Sequence, residues 1–196
     1  DTLGLIMPCH SINQDKAHAE VVARQFSVPT KTVVLDNIYD ALIKILPDFK
    51  PDDSLTRLAQ ANLKARLRMI TLYYAANQLK YLVAGSGNRS ELTVGYFTKH
   101  GDSGVDILPL GNLVKKEVRE LARFLKIPQE IIDKPPSAGL WEGQTDEGEM
   151  GFSYEALDKY ILTGKAPEEL KKRIETMKAS SAHKRATPPI PEIPEF

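Results

Sequence analysis

The sequence predicts an α/β fold, a mainly parallel sheet flanked by helices. Two observations predict it. The first is a set of short continuous apolar runs without polar alternation: "LGLIMPC" (3–9), "KTVVLD" (31–36) and "YLVAG" (81–85). Runs of this kind suit parallel strands covered on both faces. The second is that segments with apolar residues at threes and fours separate the runs, so strands and helices alternate.

In chain order, the first strand ends at Pro8, and residues 14–26 form a helix with Ala17, Val21, Val22 and Phe26 on one side. After the strand at 31–36, residues 37–46 repeat the pattern with Ile38, Ala41, Leu42 and Ile45. From Asp53 to Gln78 there is neither Gly nor Pro, and Leu55, Leu58, Ala59, Leu63, Leu67, Ile70 and Tyr74 mark one long helix. The third strand, 81–85, leads into a glycine-rich loop, then the apolar run "DILPL" (106–110). A helix over 113–125 turns Val114, Val118, Leu121 and Leu125 inward, and 134–151 is a loop. Helices at 153–162 and 167–179 follow, then a tail with Pro188, Pro189, Pro191 and Pro194. The organisation expected is one domain over 1–182 and a Pro-rich tail over 183–196. Because Asp1 stands at the edge of a buried strand, further sequence is expected upstream of it.

At 196 residues and 42% apolar composition, the chain can close one sizeable core. Its 26 basic and 26 acidic residues balance, which argues against broad binding to nucleic acid or to an anionic membrane. A local basic pocket for a small phosphorylated molecule remains compatible with that balance. No apolar run approaches the roughly 20 residues of a membrane helix, and no signal peptide is visible. With Cys9 as the sole cysteine, a cytoplasmic location is expected.

The loop "GSGNRSELTVGYFTKHGDSGVD" (85–106) starts where a parallel sheet presents ligands, at the C-terminal end of a strand. An ordinary turn region would explain glycines that supply positive φ and charges that are solvated. A dinucleotide fingerprint nearly matches, since Gly85-x-Gly87-x-x-Ser90 follows a strand and Asp106 lies about 20 residues on. It fails physically: Gly95, Gly101 and Gly104 leave room for only about two helical turns, and the third glycine is a Ser. The residue types favour a site for a polyanion and its metal. Glu91 offers a hard oxygen for Mg²⁺. Arg89, Lys99 and His100 suit phosphates or carboxylates, while Asp102 and Asp106 accept from hydroxyls or an amine.

"NLKARLRM", "GSGNRSELTVGYFTKHGDSGVDILPLGNLVKKEVRELARFL", "KPPSAGLW", "QTDEGEMGFSYEALDKYI" and "HKR" together resemble NAD synthetase over essentially the whole chain. "GYFTKHGD" and the acidic run before "SYEALD" discriminate far better than any glycine pattern. The resemblance implies an adenine nucleotide α-hydrolase-like fold, Rossmann-like and three-layered. It implies ATP-dependent amidation of nicotinic acid adenine dinucleotide by ammonia, with Mg²⁺. The acid's carboxylate first attacks the α-phosphate of ATP, because adenylation turns a poor leaving group into a good one. Ammonia then displaces AMP. The resemblance also implies a homodimer, with the helix over 53–78 in its interface.

Residue by residue, the resemblance places Glu91 on magnesium. It places Met7, Ser86, Lys115 and Ser137 on ATP, both serines standing where the family usually has Thr. Arg66, Lys99 and Asp106 fall on the acid dinucleotide, with Phe97 stacking on an aromatic ring and His183 and Lys184 closing over the substrates. Asp102 falls near ammonia, where it would hold ammonium and take a proton as the amine attacks. One family feature is absent: the Ser-Gly-Gly-x-Asp-Ser loop that grips pyrophosphate at a helix N-terminus. Residues 1–9 resemble the strand after it, and a molecule lacking that loop is expected to have little or no activity. The nitrogen source stays open, with a lean to free ammonia. The rival readings are another ATP pyrophosphatase, GMP synthetase-like or tRNA-thiolating, and a degenerate nucleotide-binding module without catalysis.

Overall fold

The computed structural model describes residues 1–49, 52–141 and 143–193. Strand β1 (Gly4–Ile6) pairs in parallel with β2 (Thr30–Thr32), in the register Gly4↔Thr30, Leu5↔Lys31 and Ile6↔Thr32. Helix α1 (Asn13–Gln25) makes the crossover that parallel pairing requires. Pairing continues past β2 through Val33 N–H to the Ile6 carbonyl (2.9 Å) and Leu35 N–H to the Pro8 carbonyl (2.8 Å). Helix α2 (Asp36–Ile45) then leads to α3 (Asp53–Leu79), which Asp52 caps by accepting from Leu55 N–H at 2.9 Å.

The parallel sheet is present, but it is smaller than the apolar runs suggest. β1 is half-buried rather than buried, because among the described residues its sheet has one other strand, and that strand is exposed. The expected third strand at 81–85 reduces to one parallel bridge, Ala84↔Ile107. A side chain adds to this short pairing: Val83 N–H donates to Asp106 Oδ2 at 2.7 Å, beside backbone bonds from Asp106 N–H to the Val83 carbonyl and from Gly85 N–H to the Ile107 carbonyl, both at 2.9 Å. Leu82, with no sheet to cover it, is 69% exposed.

Helix positions match the periodicity better than helix faces do. Phe26, Ile38, Ile45 and Leu125, expected inside, are exposed. In α3 the buried residues are Ala61, Lys64, Ala65, Leu67 and Ala76, while Leu55, Leu58, Ile70 and Tyr74 face outward. Small residues let the neighbouring elements approach closely, and the bulky stripe stays open.

The second half of the chain is helical. Helix α4 (Arg89–Val94) is the short helix the glycines allow, and it ends at Gly95 with φ 71°. Helix α5 (Lys115–Phe124) follows, then α6 (Gln129–Asp133), which no sequence signal marked. Inside the expected loop 134–151 lies α7 (Asp146–Met150), capped by the Thr145 hydroxyl and closed by Gly151 with φ 76°. One such turn is too short to show periodicity. Helices α8 (Tyr154–Thr163) and α9 (Glu168–Ser180) stand where expected, and a 3-10 turn covers Ala182–Lys184.

Two apolar clusters hold these parts. Cys9, Leu35, Tyr39 and Leu67 join the end of β1 to α2 and α3. Val94, Met150, Tyr154, Leu157 and Ile174 join α4, α7, α8 and α9. Leu157 and Ile174 are fully buried, which contributes about 1.5–3 kcal/mol each.

Candidate active site

Glu91 and Lys115 meet at the end of the glycine loop. Asn88 caps α4 by accepting from Glu91 N–H, and Asn88 N–H donates back to Glu91 Oε2, both at 3.0 Å. One carboxylate oxygen therefore serves the helix start. The other, Oε1, accepts from Lys115 Nζ at 3.0 Å. The side chains are 18% and 19% exposed, so solvent screens the pair only in part.

The placement of Lys115 follows from how α5 begins. Val114 has no side-chain acceptor to cap it, so other elements take the free N–H groups. Lys115 N–H donates to Ser90 Oγ (3.0 Å) and Lys116 N–H to Asp158 Oδ2 (2.8 Å). Ser90 Oγ donates in turn to Asp158 Oδ1 at 2.5 Å, and both residues are buried. This junction locks α4, α5 and α8 together and fixes the root of Lys115 beside Glu91.

Around the pair lie two phenols and two more carboxylates. The Tyr154 hydroxyl donates to Asp146 Oδ2 at 2.8 Å and stands 3.4 Å from Glu91 Oε1. Lys115 Nζ sits 4.8 Å from the centre of the Tyr154 ring. The Tyr96 hydroxyl bonds Glu149, which also accepts from Gln144 Nε2 at 2.9 Å. Burial first, then these carboxylates, push both phenols above their usual range, so they remain donors. Burial likewise pushes the Asp146 carboxyl up, against the opposing pull of the Tyr154 hydrogen bond and the Lys115 charge.

This donor set fits magnesium. The oxygens are hard, Glu91 pairs with Lys115 while Asp146 also feels that lysine's charge, and Asp146 Oδ1 is buried without a hydrogen-bond partner. Among the described residues no three Asp, Glu, His or Cys side chains converge as a complete metal cage. Glu91 would hold the ion together with nucleotide oxygens, as magnesium is commonly held.

The other expected ATP residues sit apart from this pair. Ser86 is exposed, and the exposed Ser137 turns its hydroxyl to accept from Gly139 N–H at 3.0 Å. The Met7 side chain packs with the first apolar cluster, and its carbonyl accepts from Arg68 Nε at 3.1 Å.

A second group forms around the 3-10 turn. Lys99 Nζ donates to the His183 carbonyl at 2.8 Å, and Arg66 Nε reaches the Lys99 carbonyl at 3.4 Å. Lys184 Nζ donates to the carbonyls of Gly95 and Phe97, both at 2.8 Å, and lies 5.3 Å from the Phe97 ring centre. Asp102 accepts from Thr98 N–H at 2.8 Å, and its charge acts on Lys184. Arg66, Phe97, Lys99, Asp102, His183 and Lys184 thus share one region. Asp106 does not join them through any contact, since its two oxygens take the Tyr73 hydroxyl (3.0 Å) and Val83 N–H.

The chain matches the NAD synthase family over residues 1–188. It belongs to that family. Among its relatives, the NH(3)-dependent NAD(+) synthetase of Carboxydothermus hydrogenoformans is 53% identical, over 98% of this chain and 79% of that protein. Among solved structures, the NMN synthetase from Francisella tularensis superimposes with a TM-score of 0.90 at 36% identity, covering 98% of this chain and 79% of that one. The NH3-dependent NAD synthetase from Campylobacter jejuni gives 0.74 at 27% identity, over 97% and 77%. The NAD synthase family is a family of ligases, and its Rossmann-like α/β fold is the fold expected here.

Within this NAD synthase chain, sequence reasoning passed over two cations on α3, the buried Lys64 and the half-buried Arg68. Lys64 Nζ donates to the Leu140 carbonyl at 2.9 Å and lies 5.5 Å from the Tyr39 ring centre. Arg68 also donates to Ser11 Oγ at 3.2 Å. With the Lys134–Asp15 ion pair, Lys64 fastens the loop after α6 near the end of β1. Their i, i+4 spacing was visible in "NLKARLRM", but burial was not.

Crowding by neighbouring atoms raises the Asp102 carboxyl above its ordinary value, and the nearby Glu91 charge adds to this. The residue keeps an open face to solvent, which moderates the effect. Because its folded value lies above the unfolded one, ionised Asp102 costs the fold stability. That cost is absent below the unfolded value and complete above the raised one. Asp102→Asn is therefore expected to raise Tm at neutral pH, with the gain shrinking as pH falls through the raised value. Thermal unfolding across pH 3–8 checks this; an unchanged or lowered Tm at neutral pH contradicts it.

Proposed function

We propose that the chain amidates nicotinic acid adenine dinucleotide with ammonia and ATP through an adenylated acid, forming NAD, AMP and pyrophosphate. The observation that carries the reading is continuity. One segment, 85–106, supplies the Glu91 that pairs with Lys115 and the Phe97, Lys99 and Asp102 that gather under the 3-10 turn. In the first step a carboxylate oxygen bonds to the α-phosphorus and the bond to pyrophosphate breaks. Magnesium held at Glu91 would offset the charge that grows on pyrophosphate. Lys115, already beside Glu91, adds a cation there. In the second step Asp102 accepts a proton as ammonia bonds to the carbonyl carbon and the bond to AMP breaks. Residues 1–182 act as the catalytic domain and 183–196 as a tail closing on it; residues 194–196 lie outside the described residues. The exposed stripe Leu55, Leu58, Ile70 and Tyr74 on α3 leaves a face for a second copy, and a one-chain mass in sedimentation would remove that part of the reading.

A second reading comes from the Francisella tularensis likeness: the acceptor would be the mononucleotide, nicotinic acid mononucleotide. The test is to incubate the protein with ATP, Mg²⁺, ammonium and either acid. NAD, AMP and pyrophosphate in equal amounts from the dinucleotide are expected. A kcat/KM that favours the mononucleotide supports the second reading, and ADP as product sinks both.

A further inference from the structure

One face of α3 lies under the turn that carries Asp102. Asn62, Ala65, Arg66 and Met69 stand at i, i+3, i+4 and i+7, so they share that face. Each meets a residue of 98–104. The Thr98 hydroxyl donates to Asn62 Oδ1 at 2.7 Å, and Arg66 Nε reaches the Lys99 carbonyl at 3.4 Å. Gly101 sits so close that a Cβ there would lie 3.0 Å from Ala65 Cβ, and one at Gly104 would lie 2.9 Å from Met69 Cγ. The turn is therefore laid along the helix.

Thr98 is the centre of that turn, and it is buried. Its carbonyl accepts from Gly101 N–H and from Ser103 Oγ, both at 2.9 Å. Its N–H donates to Asp102 Oδ1 at 2.8 Å. Burial raises the Asp102 carboxyl overall. The Thr98 N–H, the residue's own N–H and the Thr98 hydroxyl draw it back toward the ionised form, the form that can take a proton. These bonds all lie within the turn. The side-chain bond that ties Thr98 to the rest of the fold goes to the half-buried Asn62, 36 residues away.

We propose that Asn62 is a positioning residue for the amidation step: by holding the Thr98 hydroxyl, it fixes the turn that presents Asp102 to ammonia. This rests on Asp102 as the proton acceptor and deepens that reading. A general base works only within hydrogen-bond reach of its proton, so a shift of about 1 Å in the carboxylate is costly. The effect of Asn62 runs through Thr98 and falls on the second step alone. Glu91 and Lys115, which serve the first step, are held by contacts to Asn88 and Ser90, away from α3.

The test separates the two chemical steps. Amidation is read as kcat/KM for ammonium with preformed adenylated acid, and adenylation as exchange between pyrophosphate and ATP. Asn62→Ala is expected to slow amidation about tenfold, part of the roughly hundredfold or more that a general base supplies. Thr98→Val keeps the side chain's shape but lacks the hydroxyl, and is expected to slow it at least as much. Thr98→Ser keeps the hydroxyl and is expected within about threefold of the parent. Asn62→Ala combined with Thr98→Val is expected to be no slower than Thr98→Val alone, because one link carries both effects. Exchange is expected within about threefold of the parent in every one of these variants. Four results each overturn the proposal: an Asn62→Ala variant that amidates like the parent, a double variant slowed by the product of the two singles, a Ser variant as slow as the Val one, and exchange that falls as far as amidation, the mark of a merely structural role. If Asp102→Asn amidates like the parent, the Asp102 assignment itself fails and takes the proposal with it. Slow amidation in Asp102→Asn beside parent-like rates in the Asn62 and Thr98 variants overturns the proposal alone. Independently of any variant, a crystal structure of the parent with a stable analogue of the adenylated acid is expected to keep the Thr98 hydroxyl within about 3 Å of Asn62. A hydroxyl turned away from Asn62 there overturns it.

Discussion

Glu91→Gln is expected to lower the rate of Mg²⁺-dependent adenylation by about a thousandfold, comparable to removing a principal electrostatic contact to a transition state. The amide keeps the shape of the side chain and can still accept from Asn88 N–H, so the capping box of α4 survives. It loses the charge that pairs with Lys115 and that would hold magnesium. The fold should change little, with a shift of a few degrees in Tm. Isotope exchange between pyrophosphate and ATP isolates the first step. Supplying preformed adenylated acid with ammonium isolates the second, which should keep most of its rate. Exchange within about tenfold of the parent would remove Glu91 from the metal site.

The helices that are long or cleanly punctuated were legible, whereas the five-residue α6 and α7 were not. α3 has no Gly or Pro over its 27 residues, and its limits match the periodicity within a residue. α4 was legible for the opposite reason: closely spaced glycines bound it, and Asn88 and Glu91 stand at capping-box spacing. Strand extent was not legible. An apolar run reports a tendency to be covered, but pairing depends on what lies beside it, and at 81–85 that is only the short stretch 106–107, joined by one bridge and the Asp106 side chain.

The site was half legible. Glu91, Lys115, Lys99, Asp102 and Lys184 carry chemistry in their side chains and stand in discriminating motifs. Asp146, Tyr154, Asp158 and Ser90 act through contacts that span 8 to 68 residues. Nothing local marks a buried Asp as a partner for a distant Ser. The one available signal was the density of acids before "SYEALD", far more than a single helix start needs.

Gly95→Ala is expected to cost the fold about 2–5 kcal/mol, combining a strained left-handed backbone with overpacking. Gly95 closes α4 with φ 71°, which L side chains rarely adopt. A Cβ there would lie 2.2 Å from both Cβ and Oγ of Ser181. Ser181 cannot yield easily: it is buried, and its Oγ donates to the Met177 carbonyl at 2.6 Å and accepts from Arg185 at 2.9 Å. Relief therefore requires the end of α9 to lift away from α4. The Gly95 carbonyl is also where Lys184 is anchored, so the 3-10 turn carrying His183 and Lys184 should lift with it. KM for the acid dinucleotide is expected to rise with the loss of stability, while pyrophosphate exchange at saturating substrates changes less. Pairing Gly95→Ala with Ser181→Gly removes both clashing atoms but not the backbone strain. The double variant should recover the overpacking part and retain a deficit of about 1–2 kcal/mol from the positive φ. Chemical denaturation of the two singles and the double measures the split. If Ser181→Gly brings no recovery, the close approach of α9 to α4 is not what requires glycine at position 95.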